Sequence, residues 1–269
     1  MLLLGIACLR QSLLSLTRTF HFLLFTFHKM VFRLASTTST NDEARNPKYR
    51  HGDVGWAERQ TAGRGQRGHV WHSPEGENLT FSLVLEPGFL PVREQFLLSE
   101  AVALSLTDTF AEYGIDTRIK WTNDIYAGDC KIVGMLIEHS YSGPTLARTI
   151  VGIGINVNQT AFDPALPNPV SMTQLAGRTF DRAEVLETFL ARCENRYRQL
   201  EAGETDLLQQ AYRRRMYRLG ERHRYRIPGR GETDGTIEGV RPTGELLLRH
   251  ADGSFGEYLF GEAEFVLKK

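Results

Sequence analysis

Hydrophobic and polar positions follow two periods along the chain, and strand-like and helix-like segments are interspersed from residue 30 onward. Strand-like runs occur at residues 31–34, 54–60, 79–85, 117–121, 132–138 and 149–156. Helical spacing of apolar residues predicts helices at residues 96–113, 182–200 and 207–219. Thr40 and Glu43 have the spacing of a capping box, which predicts a further short helix running through Ala44.

The pattern of the sequence changes near residue 220 from mixed strands and helices to short strands alone. Residues 220–269 hold five short β-type runs separated by turn-forming triplets such as Thr-Asp-Gly and Pro-Thr-Gly. This pattern predicts a small all-β barrel that follows a larger unit in which strands and helices mix around a sheet. The predicted fold is therefore α+β, with a domain boundary near Leu219 that separates residues 30–219 from residues 220–269.

The first 29 residues differ from the rest, because they contain no Asp or Glu and carry Arg10, Arg18 and Lys29 among Leu, Phe, Ser and Thr. This composition is typical of an organelle transit segment, but a start of translation at Met30 explains it more simply. A secretory signal peptide fits poorly, since no charged region precedes Leu2. We therefore place residues 1–29 outside the fold and expect a chain that begins at Met30 to fold like the full chain.

Charge and cysteine content exclude several classes of protein. The 32 basic residues balance 32 acidic ones, which argues against a nucleic-acid-binding surface over the whole protein. The three cysteines show no C-x-x-C pairing and the eight histidines no H-x-x-x-H motif, so neither disulfides nor a zinc site are predicted. The apolar run at residues 20–27 is too short to cross a bilayer. We expect a cytoplasmic protein without a resident metal and without a membrane partner.

A glycine-rich loop, Gly-Arg-Gly-Gln-Arg-Gly-His, covers residues 63–69 after the second predicted strand. Its glycines let backbone N–H groups approach an anion closely, and Arg64 and Arg67 add guanidinium donors that suit phosphate or carboxylate. Such a loop is suited to close over a phosphorylated intermediate. Considered alone, it is more commonly a surface turn with solvated arginines or a short nucleic-acid contact.

A second group of polar residues begins with Lys-Trp-Thr-Asn-Asp at residues 120–124, and Lys131 follows seven positions after Asp124. Lysine is a point charge that can hold a reacting carboxylate or an α-phosphate, and Asp124 is suited to help hold Mg²⁺. The alternative is a hairpin whose charged side chains are merely solvated. The spacing of the whole group favours the functional interpretation.

The third motif, Gly-Ile-Gly-Ile-Asn-Val-Asn, covers residues 152–158. Glycine inside a strand usually marks the close approach of a ligand or of another backbone. Asn156 and Asn158 would then face one side, from which they reach a base or a phosphate. A β-bulge with turn-forming asparagines explains this motif equally well when it is considered alone.

Together with Ser-Thr-Asn at residues 39–41, these motifs have the order and spacing found in biotin–protein ligases, which the chain resembles from Val31 to its C-terminus. The resemblance implies a mixed sheet with flanking helices related to class II synthetases, followed by a small SH3-like barrel. It implies that biotin and ATP, with Mg²⁺, form biotinyl-5′-adenylate, and that biotin then passes to a lysine of a biotin carboxyl carrier protein. It further implies no tightly bound prosthetic group and a monomer or a homodimer.

The resemblance also assigns residues. The biotin-binding set it implies is Ser39, Thr40, Asn41, Gln60, Gly63, Arg64, Gly65, Gln66, Lys131, Gly134, Leu136, Gly152 and Gly154. The ATP-binding set is Arg64, Arg67, Trp71, Lys120, Asn123 and Asn156. Lys131 and Arg64 are the implied catalytic residues, and Asp124 is the implied transient ligand of Mg²⁺.

The chain departs from the family pattern at a few positions. Thr122 stands where the family usually has proline, and Gln66 and His69 stand where some members have arginine. The stretch before the first strand is too short for the winged-helix domain of the bifunctional members, so we expect a monofunctional ligase that binds no DNA.

Two other functions compete with this interpretation. A lipoate–protein ligase uses the same adenylate chemistry, but its linear acyl chain would not need the polar group formed by residues 39–41 and Gln60. A nucleic-acid-binding module could use the arginine-glycine loop and the barrel. The zero net charge and the absence of aromatic RNA-binding motifs count against the second alternative.

Overall fold

The computed structural model describes Phe27 and residues 30–266, which fold around two β-sheets. The strands of the larger sheet are β1 (Val31–Thr37), β2 (Val54–Gln60), β3 (Leu79–Leu85), β4 (Arg118–Lys120), β5 (Asp124–Ala127), β6 (Cys130–Ser142) and β7 (Thr145–Ile155). They lie in the order β1-β2-β3-β7-β6-β5-β4. β1 and β2 are parallel, and all other neighbours are antiparallel, so the sheet is mixed.

Helices pack against both faces of this sheet. They are α1 (Thr40–Glu43), α2 (Phe96–Glu112), α3 (Met172–Ala176), α4 (Arg182–Glu201) and α5 (Thr205–Arg215). The ring of Phe81 on β3 lies 5.4 Å from the ring of Phe189 on α4, which places α4 over one face of the sheet. Ser82, the next residue of β3, points to the opposite face, because side chains alternate along a strand. There it contacts α1, so β3 is buried along its whole length.

The smaller sheet is antiparallel, and its strands are β8 (Arg222–Ile227), β9 (Gly231–Val240), β10 (Leu246–His250), β11 (Phe255–Tyr258) and β12 (Glu264–Phe265). They lie in the order β11-β10-β9-β8-β12. Its buried side chains Tyr225, Ile237 and Leu246 belong to the same hydrophobic cluster as the core of the larger sheet. The two sheets therefore pack around one continuous core.

The strand predictions hold best where turns bound a strand closely. β2 and β3 have the predicted bounds, whereas β6 and β7 extend past their predicted ends to meet at a turn that includes Gly143. Gly143 has a φ of 56°, a value that favours glycine. The four-residue strand β5 was not predicted as a separate strand, because it has too few positions to show a period.

The helix predicted at residues 207–219 ends earlier, at Arg215. The prediction of its end was wrong because a strand competes for the backbone. Met216 bridges to Ile119 of β4, and the N–H of Tyr217 donates to the carbonyl of Ile119 at 2.9 Å. The spacing of apolar side chains contains no information about such a long-range backbone bond.

The capping box predicted from Thr40 and Glu43 does not form. Ser39 occupies the N-cap position, no side chain caps the helix, and α1 closes at Ala44. The hydroxyl of Thr40 lies 2.8 Å from that of Ser82 instead. A tertiary contact has therefore replaced the local one.

A complete capping box is found at α3, where no helix was predicted. The hydroxyl of Ser171 accepts a hydrogen bond from the N–H of Gln174, whose side chain accepts one from the N–H of Ser171. Gly177 ends the helix with a φ of 68°. The Ser-x-x-Gln signal is visible in the sequence, but a helix of five residues is too short to show a hydrophobic period.

Phe27 belongs to the segment that we placed outside the fold, yet its side chain is only 4% exposed. Its ring lies 5.2 Å from the ring of His51 and 5.7 Å from that of Tyr197. Residues 1–26, 28 and 29 lie outside the described part of the chain. Phe27 is therefore where the proposed start of the fold can be tested.

We expect a chain that begins at Met30 to fold, because the regular elements begin at Val31. It should unfold at a lower urea concentration than a chain that keeps residues 26–29, since burial of one Phe side chain contributes about 1.5–3 kcal/mol. Phe27→Ala in the full chain should have a similar effect. Equal midpoints for all of these chains would show that Phe27 adds nothing to stability and that the fold begins at residue 30.

Within the residues that the structure describes, none of the helices combines the length and the apolar character that a membrane crossing requires.

Candidate functional site

A cavity of about 750 Å³ opens on the face of the larger sheet opposite to α4. Of the site residues predicted from the sequence, those that line it are Ser39, Thr40, Asn41, Gln60, Arg64, Gly65, Gln66, Trp71, Lys120, Asn123, Asp124, Lys131, Gly134, Leu136, Gly152, Gly154 and Asn156. Gly63 does not line the cavity, and the side chain of Arg67 lies outside the described part of the structure. Residues separated by more than a hundred positions thus meet in one place.

The floor of the cavity consists largely of backbone. Gly134 of β6 is paired with Gly154 of β7, and Leu136 is paired with Gly152 two residues further along. Positions two apart on a strand share a face, so Gly134, Gly152 and Gly154 lie together on the floor and add no side chains of their own to it.

Two side chains lie directly over this floor. A Cβ atom on Gly152 would stand 2.2 Å from Oδ1 of Asn41, and one on Gly154 would stand 2.2 Å from Cε2 of Trp71. Neither distance is possible between real atoms, so glycine is required at both positions while Asn41 and Trp71 stay where they are. The indole N–H of Trp71 is buried and has no hydrogen-bond partner in the described structure.

Asn41 is held firmly at one end of the slot. Its amide Nδ2 donates to the carbonyl of Leu136 at 3.2 Å and to Oε2 of Glu138 at 2.8 Å. The hydroxyl of Ser82 donates to its Oδ1 at 2.6 Å. Nearby, the N–H of Thr40 donates to Oε1 of Gln60 at 2.8 Å. The result is a buried polar end whose amide and hydroxyl groups have fixed orientations.

The glycine-rich loop folds back on itself beside this polar end. The N–H of Gly65 donates to the carbonyl of His69, and the N–H of Trp71 donates to the carbonyl of Gly63. A Cβ atom on Gly63 would stand 2.4 Å from the carbonyl oxygen of Trp71. Gly63 is therefore needed for the close approach of the two loop strands, which is a different reason from the ligand contact that the resemblance implied.

Arg64 is paired with carboxylates in the structure. Its Nη2 lies 2.7 Å from Oδ1 of Asp42 and 3.4 Å from Oε2 of Glu138. The side chain is 41% exposed, so these pairs contribute little to stability and can exchange for another anion.

Positive charge is concentrated at the other end of the cavity. Nζ of Lys131 lies 2.7 Å from Oδ1 of Asp124, and Nζ of Lys120 lies 3.9 Å from the second carboxylate oxygen. Burial lowers the pKa of Lys120, the Asp124 carboxylate acts in the opposite direction, and the charges of Lys131 and Arg218 lower it further. Two cations thus share one carboxylate, which leaves an excess of positive charge facing the cavity.

Asn123 and Asn156 also line the cavity, but their amide N–H groups bond to the backbone. Asn123 donates to the carbonyl of Met135 at 2.8 Å, and Asn156 donates to that of Val170 at 3.1 Å. Each amide therefore braces a strand or a loop at the edge of the site.

Sequence reasoning missed several parts of the site. Glu138 and Ser82, which fix Asn41, are polar residues in mainly apolar stretches of β6 and β3, and that signal could have identified them. The smaller sheet and the loop at residues 162–169 also form part of the wall. Lys120 lies 4.9 Å from the ring of Phe265, a contact between distant segments that no local pattern indicates.

Comparisons with known proteins agree with this geometry. A model of the biotin/lipoate A/B protein ligase family matches residues 31–156. The biotin–[acetyl-CoA-carboxylase] ligase of Paracoccus denitrificans is 35% identical over 231 residues, which is 82% of this chain and 94% of that protein. The bifunctional ligase/repressor BirA of Bacillus subtilis (strain 168) is 39% identical over 171 residues, or 61% of this chain and 52% of BirA. The chain therefore spans about half the length of that relative.

A solved structure is similar over the whole of its own chain. The biotin protein ligase from Aquifex aeolicus, in complex with biotin and ATP, is 28% identical with a TM-score of 0.76, and the match covers 89% of this chain and 100% of that one. On the similarity to the Paracoccus protein over nearly its full length, this chain belongs to the family of biotin–protein ligases within the biotin/lipoate A/B protein ligases.

Proposed function

We propose that the protein activates biotin with ATP to biotinyl-5′-AMP and transfers the biotinyl group to a lysine of a biotin carboxyl carrier protein. One observation carries the proposal. A single cavity joins a buried polar end, a floor of glycines and a cluster of cations, in that order. Biotin has a ureido group, a bicyclic ring and a carboxylate in the same order along its length.

The polar end suits the ureido group. Ser39, Thr40, Asn41 and Gln60 present hydroxyl and amide groups, of which Asn41 is fixed by three hydrogen bonds. Gly134, Gly152 and Gly154 add no side chains of their own to this floor, so a flat bicyclic ring can lie there once the indole of Trp71, which covers Gly134 and Gly154, lifts and packs over the ligand. A linear acyl chain needs no such polar end, so we prefer biotin over lipoate.

The cation cluster suits the first chemical step. An oxygen of the biotin carboxylate attacks the α-phosphorus of ATP and forms a mixed anhydride with AMP. The bond from the α-phosphorus to the pyrophosphate oxygen breaks, and pyrophosphate leaves. Both partners are anions, so the site must supply fixed positive charge and exclude competing water. Lys131 and Lys120 supply that charge, and Arg64 adds to it when its guanidinium leaves Asp42 for the ligand.

Asp124 is suited to hold magnesium that arrives with the nucleotide. Mg²⁺ in such sites is bound by one or two carboxylates together with phosphate oxygens. Asp124 offers one carboxylate at the cavity wall, and among the described residues no three acidic, His or Cys side chains are grouped so that they could hold a metal ion. When bound there, the ion would neutralise charge on the phosphates.

The second step transfers the acyl group. The amine of the carrier lysine attacks the carbonyl carbon of the adenylate, the bond to the phosphate oxygen breaks, and AMP leaves. Because the adenylate is a reactive mixed anhydride, the glycine-rich loop would shield it until the carrier arrives.

We also propose a domain division, a compartment and an oligomeric state for the protein. We assign residues 30–219 to the catalytic domain and residues 220–269, with the five-stranded sheet, to an SH3-like domain. Phe27 packs in the core and belongs with the catalytic domain. The described cysteines Cys130 and Cys193 are free thiols, which suits the cytoplasm. The protein would act as a monomer or a homodimer and without nucleic acid.

The function is tested by mixing the protein with ATP, Mg²⁺ and labelled biotin, with and without a biotin carboxyl carrier domain. We expect pyrophosphate release that depends on biotin, followed by label on the carrier lysine. Lipoate in place of biotin is the control for the acyl chain, and RNA retention is the control for the nucleic-acid alternative. Release that depends on lipoate and not on biotin would overturn the assignment.

Gln66 offers a test of the closing loop. Its Oε1 is buried without a hydrogen-bond partner, and the residue lines the cavity. In Gln66→Arg a guanidinium replaces the neutral amide, and charge-assisted bonds to the phosphate are stronger than neutral ones. We expect the variant to release biotinyl-adenylate more slowly and to label bystander proteins several-fold less when no carrier is present.

The matched control is Gln210→Arg, which makes the same chemical change on the exposed surface of α5. Bystander labelling is measured with an unrelated protein. Labelling by Gln66→Arg that equals or exceeds the wild-type level would show that position 66 does not retain the adenylate.

A further inference from the structure

Arg218 has an unusual backbone. It is the single non-glycine residue in the described chain with a positive φ, at 60°. The N–H of Tyr217 bonds to the carbonyl of Ile119 at 2.9 Å, and the N–H of Gly220 bonds to the carbonyl of Ile237 at 2.9 Å. The segment is thus clamped to β4 on one side and to β9 on the other. A strained conformation persists where its surroundings determine it this strongly, and such positions cluster at functional sites.

The guanidinium of Arg218 is buried at this fixed position. The Arg218 side chain is only 8% exposed, and its guanidinium lies 4.7 Å from the centre of the Tyr217 ring. Its nearest carboxylate is that of Asp129, at 3.5 Å and itself largely exposed, while Nη1 is buried without a partner. A buried charge with so little compensation is costly and needs a reason.

A second cation shares the same aromatic surroundings. Nζ of Lys120 lies 5.1 Å from the ring of Tyr126 and 4.9 Å from that of Phe265. The ring of Tyr217 packs against the guanidinium of Arg218. Its centre lies 5.2 Å from that of the Tyr126 ring and 6.1 Å from that of the Phe265 ring. We call these three rings, Tyr126, Tyr217 and Phe265, the aromatic box.

The two cations differ in their access to ligand. Lys120 lines the cavity, whereas Arg218, which packs on the ring of Tyr217, does not. Asp124 compensates Lys120 only at 3.9 Å, because its closer contact is with Lys131 at 2.7 Å. Like charges in a partly desolvated setting repel strongly, so Arg218, which lies on Tyr217, opposes any movement of the Lys120 ammonium from Tyr126 and Phe265 toward Tyr217.

We propose that Arg218 is a positioning residue for nucleotide phosphates, which acts by keeping the ammonium of Lys120 at the cavity surface. The inference rests on the proposed function, since it takes the polyphosphate of ATP as the ligand of Lys120. Arg218 touches no substrate. Without it, the Lys120 ammonium can move from Tyr126 and Phe265 toward Tyr217, which does not line the cavity, and the phosphates lose one of their cations.

The test replaces Arg218 by a neutral residue that can keep the positive φ of its backbone. Asn tolerates a positive φ and is neutral, so Arg218→Asn is the first variant, and Arg218→Gly replaces it if it does not fold. Arg218→Lys keeps the charge. Calorimetry measures the binding of ATP and of biotin separately. We expect Arg218→Asn to bind ATP roughly tenfold more weakly, as loss of a nearby charge in such a setting allows. Biotin binding should be unchanged, and Arg218→Lys should recover most of the ATP affinity.

A double-mutant cycle tests the route through Lys120. In a Lys120→Met background Arg218→Asn should have no further effect on ATP affinity, because the group it positions is gone. Additive losses, an unchanged ATP affinity, or an equal fall in ATP and biotin binding would each overturn the inference while the proposed function stands. A wild-type protein that binds biotin but no ATP would overturn the proposed function itself.

Discussion

Lys131→Ala is expected to slow biotin-dependent pyrophosphate release by on the order of a hundredfold or more, comparable to the loss of one preorganised oxyanion donor. The Lys131 backbone is fixed on both sides, since its N–H donates to the carbonyl of Asn168 and its own carbonyl accepts from Val170. Its side chain borders the glycine floor, with Nζ at 3.3 Å from a Cβ placed on Gly134. The ammonium is therefore held beside the glycine floor, at the position where we propose that the carboxylate and the α-phosphate meet.

Loss of the lysine also leaves Asp124 with a single, more distant cation, so folding has to be checked. Thermal unfolding of the variant separates a loss of stability from a loss of chemistry. Lys48→Ala is the matched control, because Lys48 also forms a 2.7 Å ion pair, with Glu43, and does not line the cavity. Near-normal pyrophosphate release by Lys131→Ala, with Lys48→Ala as the reference, would remove Lys131 from the reaction.

Glu100→Gln is expected to stabilise the protein and to flatten its dependence on pH. Glu100 lies on α2, is 3% exposed, and has no hydrogen bond to its buried Oε2. Burial raises its pKa from 4.5 to about 8. The neighbouring hydroxyl of Tyr212 is buried without a partner as well. A carboxyl group in this setting is kept protonated at neutral pH.

The sign of the effect follows from proton binding. Between pH 4.5 and about 8 the folded protein holds a proton on Glu100 that the unfolded chain has lost. Stability from this group therefore falls as pH rises through that window, by about 1.4 kcal/mol per pH unit at most. It is constant below the window, where both states are protonated, and above it, where both are ionised. Glutamine has nearly the same shape and cannot ionise, so the slope should vanish.

Urea unfolding of wild type and Glu100→Gln at pH 5, 6.5 and 8 measures the difference. The free energies should be similar at pH 5 and should diverge in favour of the variant by roughly 3–4 kcal/mol at pH 8. Glu187→Gln, on the exposed side of α4, is the control for a change of charge alone. Parallel pH curves for wild type and Glu100→Gln would show that Glu100 ionises normally in the folded state.

The elements best predicted from the sequence are those whose side chains and turns both mark their limits. Apart from Ser82, β3 is a run of β-branched, aromatic and leucine residues, and its bounds were predicted without error. The helix after Thr205 was predicted too long, because its last residues bond to Ile119, about a hundred positions earlier. Local periodicity indicates where a helix can form, but not where a distant strand removes residues from it.

The same distinction applies to the site. The resemblance to biotin–protein ligases assigned Lys131, Asp124 and the glycines to one site, and the cavity brings these residues together. The sequence could not show that Gly63 serves a backbone approach to Trp71, since the collision involves a carbonyl oxygen eight residues away. Nor could it show that Phe265 reaches Lys120 across the boundary predicted near Leu219.

Because Phe265 near the C-terminus contacts Lys120, the cavity can enclose an adenylate only after the last residues of the chain have been synthesised. Strands β1 to β7 carry the glycine floor and both lysines, and a ribosome has made all of them before it reaches residue 220. The cavity of such a nascent chain still lacks the wall that residues 260–266 provide. An adenylate formed there would be open to water and to any passing amine. The smaller sheet would therefore complete the wall of the cavity, and it can do so only after translation has passed Val266.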